Sequence, residues 1–227
     1  MTAPHRQVAD LYRALGRAGM NAGSSGNVSL RARQGMVITP SGCSAETITD
    51  TDPVTTTLDG QTRGPRAPSS EWFMHAAIYR AYTNVAAIVH THSDACTALA
   101  CLAEPLPAFH YLVVRFGGDD VRCAPYVTFG TPALAEVAVA ALADRTACLL
   151  ANHGMIVTGS SAREALTGAL TLESLARQYL LARAAGKPRL LTKAEMHAAR
   201  ERFKTYGPAS NVSAATKSRP RSRATAA

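Results

Sequence analysis

Apolar positions along the chain switch repeatedly between helical and strand spacing, and the switches divide it into short elements. In residues 6–18, Val8, Leu11, Tyr12 and Leu15 recur at intervals of three and four, which predicts an amphipathic helix ending at Gly16 or Gly19. NAGSSGNVSLRA then reads as a Gly/Ser turn running into an alternating segment, and GMVITPSG as a short strand stopped by Pro40 and Gly42. Residues 43–68 are rich in Thr, Asp, Pro and Gly and predict hairpins or loops. PSSEWFMHAAIYRAY predicts a helix over 70–82, VAAIVHTH a buried strand, DACTALACLA a helix and Arg122–Tyr126 a strand.

The second half repeats this alternation. Thr131-Pro132 supplies a side-chain cap and a first-turn proline for a helix running to Leu142. TACLLANHGMIVTG carries two apolar strands joined at Asn152-His153-Gly154. Ser161 and Glu164 match a capping box before a long helix that Gly186 and Pro188 stop. Thr192 and Glu195 repeat the pattern before a last helix ending near Gly207. Strands interspersed with helices predict one layered α/β domain over 1–207. No internal repeat interrupts it.

Composition narrows the class. A chain of 227 residues with 47% hydrophobic and 18% charged residues is expected to bury a core without disulfides. Its five cysteines form no CxxC pair, and no stretch approaches the roughly 18 apolar residues of a membrane span. The N-terminal residues carry charges throughout and lack an apolar signal core. The expectation is therefore a cytoplasmic protein, neither secreted nor membrane-bound. The formal charge of +8 raises nucleic acid as a partner, but half of it sits on Lys217, Arg219, Arg221 and Arg223. Those lie in residues 208–227, a Pro/Ser/Ala/Thr-rich stretch expected to be a disordered basic tail. The body has no interleaved basic and aromatic stripe, which weighs against a nucleic-acid partner.

Candidate chemistry concentrates at strand ends. His90 and His92 are two apart in an apolar strand, so both imidazoles project from one face and Thr91 from the other. A lone buried histidine is usually a hydrogen-bonded core residue, whereas two on one face suit a divalent transition metal. His153 lies in a polar break between apolar segments, either an ordinary turn histidine or a third ligand. Glu71, in the first turn of the helix after PSS, is either a dipole-stabilising carboxylate or the acid that completes the set. Three small, donor-rich turns could cradle a phosphate: SSGN at 24–27, TPSG at 39–42 and the Ser69-Ser70 helix start. A GxxxxGK motif is absent, which argues against a nucleotide triphosphatase.

GNVSLR, MVITPSG, PSSEW, VHTH, FHY, CAPYVTFGT, NHG and FKTYG occur in one order between Gln7 and Gly207. In that order and spacing the chain resembles the class II aldolase/adducin family. The resemblance implies a central, largely antiparallel sheet flanked by helices, and one Zn2+ per subunit held by Glu71, His90, His92 and His153. Glu71 would also serve as acid/base during turnover. Asn27, Ser41, Gly42, Ser69 and Ser70 correspond to phosphate-binding positions; Ser41 replaces the usual threonine and keeps its hydroxyl. Tyr111 matches a tyrosine that a neighbouring subunit contributes as proton donor. Tyr206 matches one that closes over the site, with the alignment shifted by a residue before it. Phe129 matches a hydrophobic wall beside the aldehyde. The family implies a homotetramer with sites between subunits.

The implied reaction is retro-aldol cleavage of a deoxyketose 1-phosphate to dihydroxyacetone phosphate and an aldehyde. Candidate substrates are L-fuculose 1-phosphate and 5-deoxyribulose or 5-methylthioribulose 1-phosphate. Sugar-phosphate dehydratases, 4-epimerases and decarboxylases share the fold and metal residues; the FHYLVVRFGG and FKTYG segments favour the aldolase. A non-catalytic adducin-like assembly domain would be signalled by loss of the metal residues, and all four are present.

Overall fold

The computed structural model describes residues 3–206. An eight-stranded sheet forms its centre, built from β1 (Asn27–Ala32), β2 (Gly35–Ile38), β3 (Val54–Thr56), β4 (Thr62–Arg63), β5 (Ala87–Thr91), β6 (Cys123–Ala124), β7 (Ala147–Leu150) and β8 (Gly154–Gly159). The spatial order is β4-β3-β2-β1-β5-β8-β7-β6. Every pairing is antiparallel except β6 with β7, so the sheet is largely antiparallel as expected.

Strand alternation splits the core into two layers. Val28, Leu30, Val89, Leu149, Met155 and Val157 face the layer that contains α1 (Pro4–Arg17), α3 (Asp94–Cys101) and α5 (Ala162–Ala185). The other face presents Met36, Ile38, Ile88, Cys148, Leu150 and Ile156 to α2 (Trp72–Ala81) and α4 (Pro132–Ala141). Both faces of β5 are thus covered, and its five residues are all buried, which explains its unbroken apolar run. Burying a Val, Leu or Ile side chain in such a layer contributes about 1.5–3 kcal/mol relative to exposure. A last helix, α6 (Lys193–Lys204), lies against a 3-10 helix at Tyr111–Phe116.

Several local expectations change in detail. The first helix passes through Gly16, and the chain turns at Ala18 and Gly19, where φ is +70°. Residues 43–68 do hold a hairpin, the β3–β4 pair. The helix expected from residue 70 begins at Trp72 with Glu71 at its N-cap, so Glu71 lies just outside the first turn. Ser161 caps α5 by accepting from the Glu164 N–H at 3.2 Å, but the Glu164 carboxylate takes the Ser160 N–H instead of Ser161. Of the two expected boxes, the one at Thr192–Glu195 is reciprocal. The strand expected over 122–126 shortens to two residues, and the 3-10 helix was not anticipated. The basic tail at 208–227 lies outside the described residues.

Candidate metal centre and cleft

Four segments converge to build the centre. In the β1–β5 register Asn27 stands opposite His90, so both side chains occupy the face covered by α2. Glu71, at the start of α2, points into the same region. The turn between β7 and β8 delivers His153; Asn152 before it adopts φ +53°, a conformation asparagine tolerates well. Gly154 follows because a Cβ there would collide with the Thr91 carbonyl and approach His92 Cδ2 at 3.0 Å. His92 itself sits one residue beyond β5, in the turn leading to α3.

That turn is held from below. The Glu173 carboxylate, on α5, accepts from the Ser93 hydroxyl at 2.7 Å and from the Ala95 and Cys96 N–H groups at 2.8 and 2.9 Å. A carboxylate from a distant helix therefore does the capping that Ser93, at the N-cap, does not.

The donor atoms of Glu71, His90, His92 and His153 all lie within 4.8 Å of one another. The three imidazoles meet edge to face, with centroids 4.8–4.9 Å apart. His90 Nδ1 is 2.9 Å from the Met155 carbonyl, which only a protonated Nδ1 can bond, so a neutral His90 keeps its lone pair on Nε2. That lone pair is 3.0 Å from His92 Nε2 and 3.1 Å from Glu71 Oε2. Glu71 Oε1, buried and 3.2 Å from His153 Nε2, has no hydrogen-bond partner. Acceptors this close repel unless a proton or a cation lies between them: against the pull of burial, Glu71 raises the His90 value and so favours a proton, and three imidazoles with a carboxylate fit a divalent metal in its place. The same cluster perturbs its own acidities. Burial alone would raise Glu71, but His90 and His153 hold it well below the usual carboxylate range. Burial and the neighbouring imidazoles push His92 down to about 4, so it stands neutral and ready to ligate near pH 7.

A cleft of about 330 Å³ opens above the cluster. Asn27, Ser41, Gly42, Ser69 and Ser70 all line it, so the structure brings the three donor-rich turns together at one rim. Gly26, at φ +72°, lets the first turn pass 2.8 Å from the His90 carbonyl where a Cβ would sit. Ser69 is tied in by its N–H to the Thr39 carbonyl, and Ser41 by its N–H to the Ala67 carbonyl, both at 3.0 Å. Phe129 lines the cleft as well, together with Tyr126 and Val127. Tyr126, 61% exposed, escaped the sequence reading because it lay in a predicted strand.

Tyr111 and Tyr206 do not line this cleft. They flank Phe203 in a separate groove with Leu112, Arg115 and Arg202, and are 51% and 72% exposed. His75 was also missed. It is fully buried behind Asn27, its Nε2 2.6 Å from Asn27 Oδ1.

A family model for the class II aldolase and adducin N-terminal domain matches residues 6–180. The chain is similar to the 5-methylthioribulose-1-phosphate/5-deoxyribulose-1-phosphate aldolase of Rhodospirillum rubrum, at 46% identity over 198 residues, or 87% of this chain and 90% of that one. It is 40% identical to the L-fuculose phosphate aldolase of Escherichia coli K12 over 203 residues, 89% of this chain and 94% of that one. A solved L-fuculose 1-phosphate aldolase superposes with a TM-score of 0.85 at 38% identity, covering 90% of this chain and 98% of that one.

Proposed function

The chain belongs to the class II aldolase and adducin family and is a class II aldolase with a metal-binding group, and from that premise we propose that it uses Zn2+ to cleave a deoxyketose 1-phosphate into dihydroxyacetone phosphate and an aldehyde. The observation that carries this reading is the Glu71–His90–His92–His153 cluster at the floor of a cleft rimmed by hydroxyl- and amide-rich turns. The 46%-identical relative supports 5-deoxyribulose or 5-methylthioribulose 1-phosphate as first choice of substrate, and the L-fuculose phosphate aldolases support L-fuculose 1-phosphate as second. All three end in a methyl or methylthio group, which suits the wall of Phe129, Tyr126 and Val127.

Glu71, His90, His92 and His153 would hold the metal. When bound, a divalent cation supplies a Lewis acid that stabilises negative charge developing on the ketose oxygens. Imidazole ligands add no negative charge, so Glu71 alone offsets the charge of the metal, and a donor set of three imidazoles and one carboxylate suits zinc. Asn27, Ser41, Gly42, Ser69 and Ser70 bind the phosphate; Ser70 and Gly42 are exposed at the rim, where a phosphate could reach them. This anchors the substrate remote from the broken bond. Cleavage removes the proton of the C4 hydroxyl, breaks the C3–C4 bond with its electron pair left on C3, and adds a proton at C3. Glu71, which its neighbours hold ionised at rest, first takes up a proton and then delivers it at C3; its Oε1, with no hydrogen bond to the protein and 3.2 Å from His153 Nε2, is the oxygen left to carry it. Tyr111 relays the C4 hydroxyl proton from the oxygen that becomes the aldehyde out to solvent, so one proton leaves that hydroxyl and one reaches C3, with no net change.

Tyr111 lies off its own chain's cleft and is half exposed, which supports its delivery by a neighbouring subunit in a homotetramer. Tyr206, beside the same Phe203, would close over the site from that groove. All five cysteines are free thiols, in keeping with a reducing cytoplasm, and no helix among the described residues is long and apolar enough to cross a membrane.

The test of substrate is the ratio of kcat/KM across ketose 1-phosphates that differ only beyond C4. Preference for methyl or methylthio ends over a hydroxymethyl end by about tenfold or more is expected from the apolar wall. Preference for the hydroxymethyl end would contradict the assignment.

A further inference from the structure

A buried chain of hydrogen bonds runs from the core to the Glu71 carboxylate, and each link has one polarity. Asn27 Nδ2 is 2.8 Å from Glu71 Oε2. A carboxylate only accepts, so Asn27 must present its NH2 there and its Oδ1 to the other side. Oδ1 is 2.6 Å from His75 Nε2, which must therefore carry the proton. His75 Nδ1 is then an acceptor, taking the hydroxyl proton of Ser29 at 2.7 Å. Ser29 Oγ in turn accepts from the Tyr79 hydroxyl at 2.9 Å. Ser29, His75 and Tyr79 are buried in the core, and Asn27 and Glu71, at the floor of the cleft, are only 4% and 6% exposed, so water has little access to these links.

We infer that His75 is a positioning residue for the Glu71 carboxylate, acting through Asn27 to tether Oε2 and leave Oε1 free. If Asn27 were released, its amide could rotate and present Oδ1 to the carboxylate, two acceptors face to face. Glu71 would then lose the restraint that keeps Oε2 beside His90 and Oε1 without a donor. The neutral state that this polarity needs is also the one that burial, followed by the nearby His90, enforces by pushing His75 down to about 3. The inference rests on the reading of Glu71 as metal ligand and proton carrier.

His75→Met removes the donor at similar volume, whereas His75→Gln keeps an N–H at the position of Nε2. Two quantities are read on the zinc-loaded protein: kcat for the preferred ketose 1-phosphate, and the rate of zinc loss to excess chelator. Loss of such an outer-shell partner is expected to change each by about 10–100-fold in the Met variant, with the Gln variant within about threefold of the parent. Met and parent alike in both readouts would overturn the inference. So would a Gln variant as impaired as Met while both melt with the parent. If His75→Met does not fold, Ser29→Ala carries the test, because it frees the imidazole to change tautomer; an unchanged kcat and zinc-loss rate would again overturn it. Should the parent itself cleave no ketose phosphate, the functional reading falls, and the zinc-loss rates alone decide the role of His75.

Discussion

The cleft at Glu71 and the aromatic groove at Tyr111 differ in almost every physical respect. In the cleft, buried groups from β1, β5, β8 and α2 constrain one another through hydrogen bonds of fixed polarity. In the groove, Tyr111, Phe203 and Tyr206 meet through ring contacts and one backbone bond, from the Tyr206 N–H to the Phe203 carbonyl, and the two tyrosines stand largely in solvent. One chain thus completes a metal centre by itself while displaying its other proposed catalytic groups on its surface. The contrast teaches that the two halves of the proposed site can be broken separately.

His92→Ala should have the largest effect. Losing one imidazole should abolish zinc binding and lower activity about a thousandfold or more, since the Lewis acid supplies several kcal/mol. Elemental analysis beside turnover checks this; full activity in a zinc-free variant would break the metal side of the comparison. Tyr111→Phe should leave zinc content unchanged and slow turnover by about a hundredfold, the usual scale of a proton-transfer group. Mixing the two inactive variants, with subunit exchange, sharpens the comparison further. Recovered activity is expected if Tyr111 acts in a neighbour's cleft, and none if each chain uses its own.

How much of this the sequence revealed follows from periodicity. His90 and His92 were legible because a strand repeats every two residues, and a short apolar strand left them no other evident purpose. The chain from Tyr79 to Glu71 was overlooked although its spacing is regular: Glu71, His75 and Tyr79 recur every four residues on α2, and Asn27 and Ser29 every two on β1. Matching those periods across two elements would have exposed it, but only if the β1–β5 register and the helix–sheet contact were known. The 3-10 helix was hidden for a different reason: YLVVRF is an apolar run with neither a helical nor a strand period. Glu173 acts across 77–80 residues of sequence, beyond any local pattern.

Two smaller effects concern the scaffold. Glu173→Ala leaves the Ser93 hydroxyl and two N–H groups of α3 without their acceptor and should cost about 2 kcal/mol in chemical denaturation. The same change in the aromatic groove, Arg202→Ala, should cost well under 1 kcal/mol because that side chain is exposed. His75 gives a pH dependence of definite sign. Its folded value of about 3 lies below the ordinary imidazole value of 6.5, so the unfolded chain binds the extra proton. Its stabilising contribution is complete above pH 6.5 and falls as pH drops toward 3, by up to about 1.4 kcal/mol per unit. Unfolding of metal-free protein at pH 5 and pH 7, compared with His75→Gln, isolates that slope; equal slopes in both would contradict a neutral buried His75.

The central claim is that the four-residue cluster holds the metal of an aldolase. Its most direct test is the release of dihydroxyacetone phosphate from 5-deoxyribulose 1-phosphate by the protein as purified, after chelation, and after zinc is restored. The account predicts release that stops on chelation and returns with about one zinc per chain, the capacity of a single three-histidine, one-carboxylate site. Release that continues undiminished in fully metal-depleted protein would contradict it.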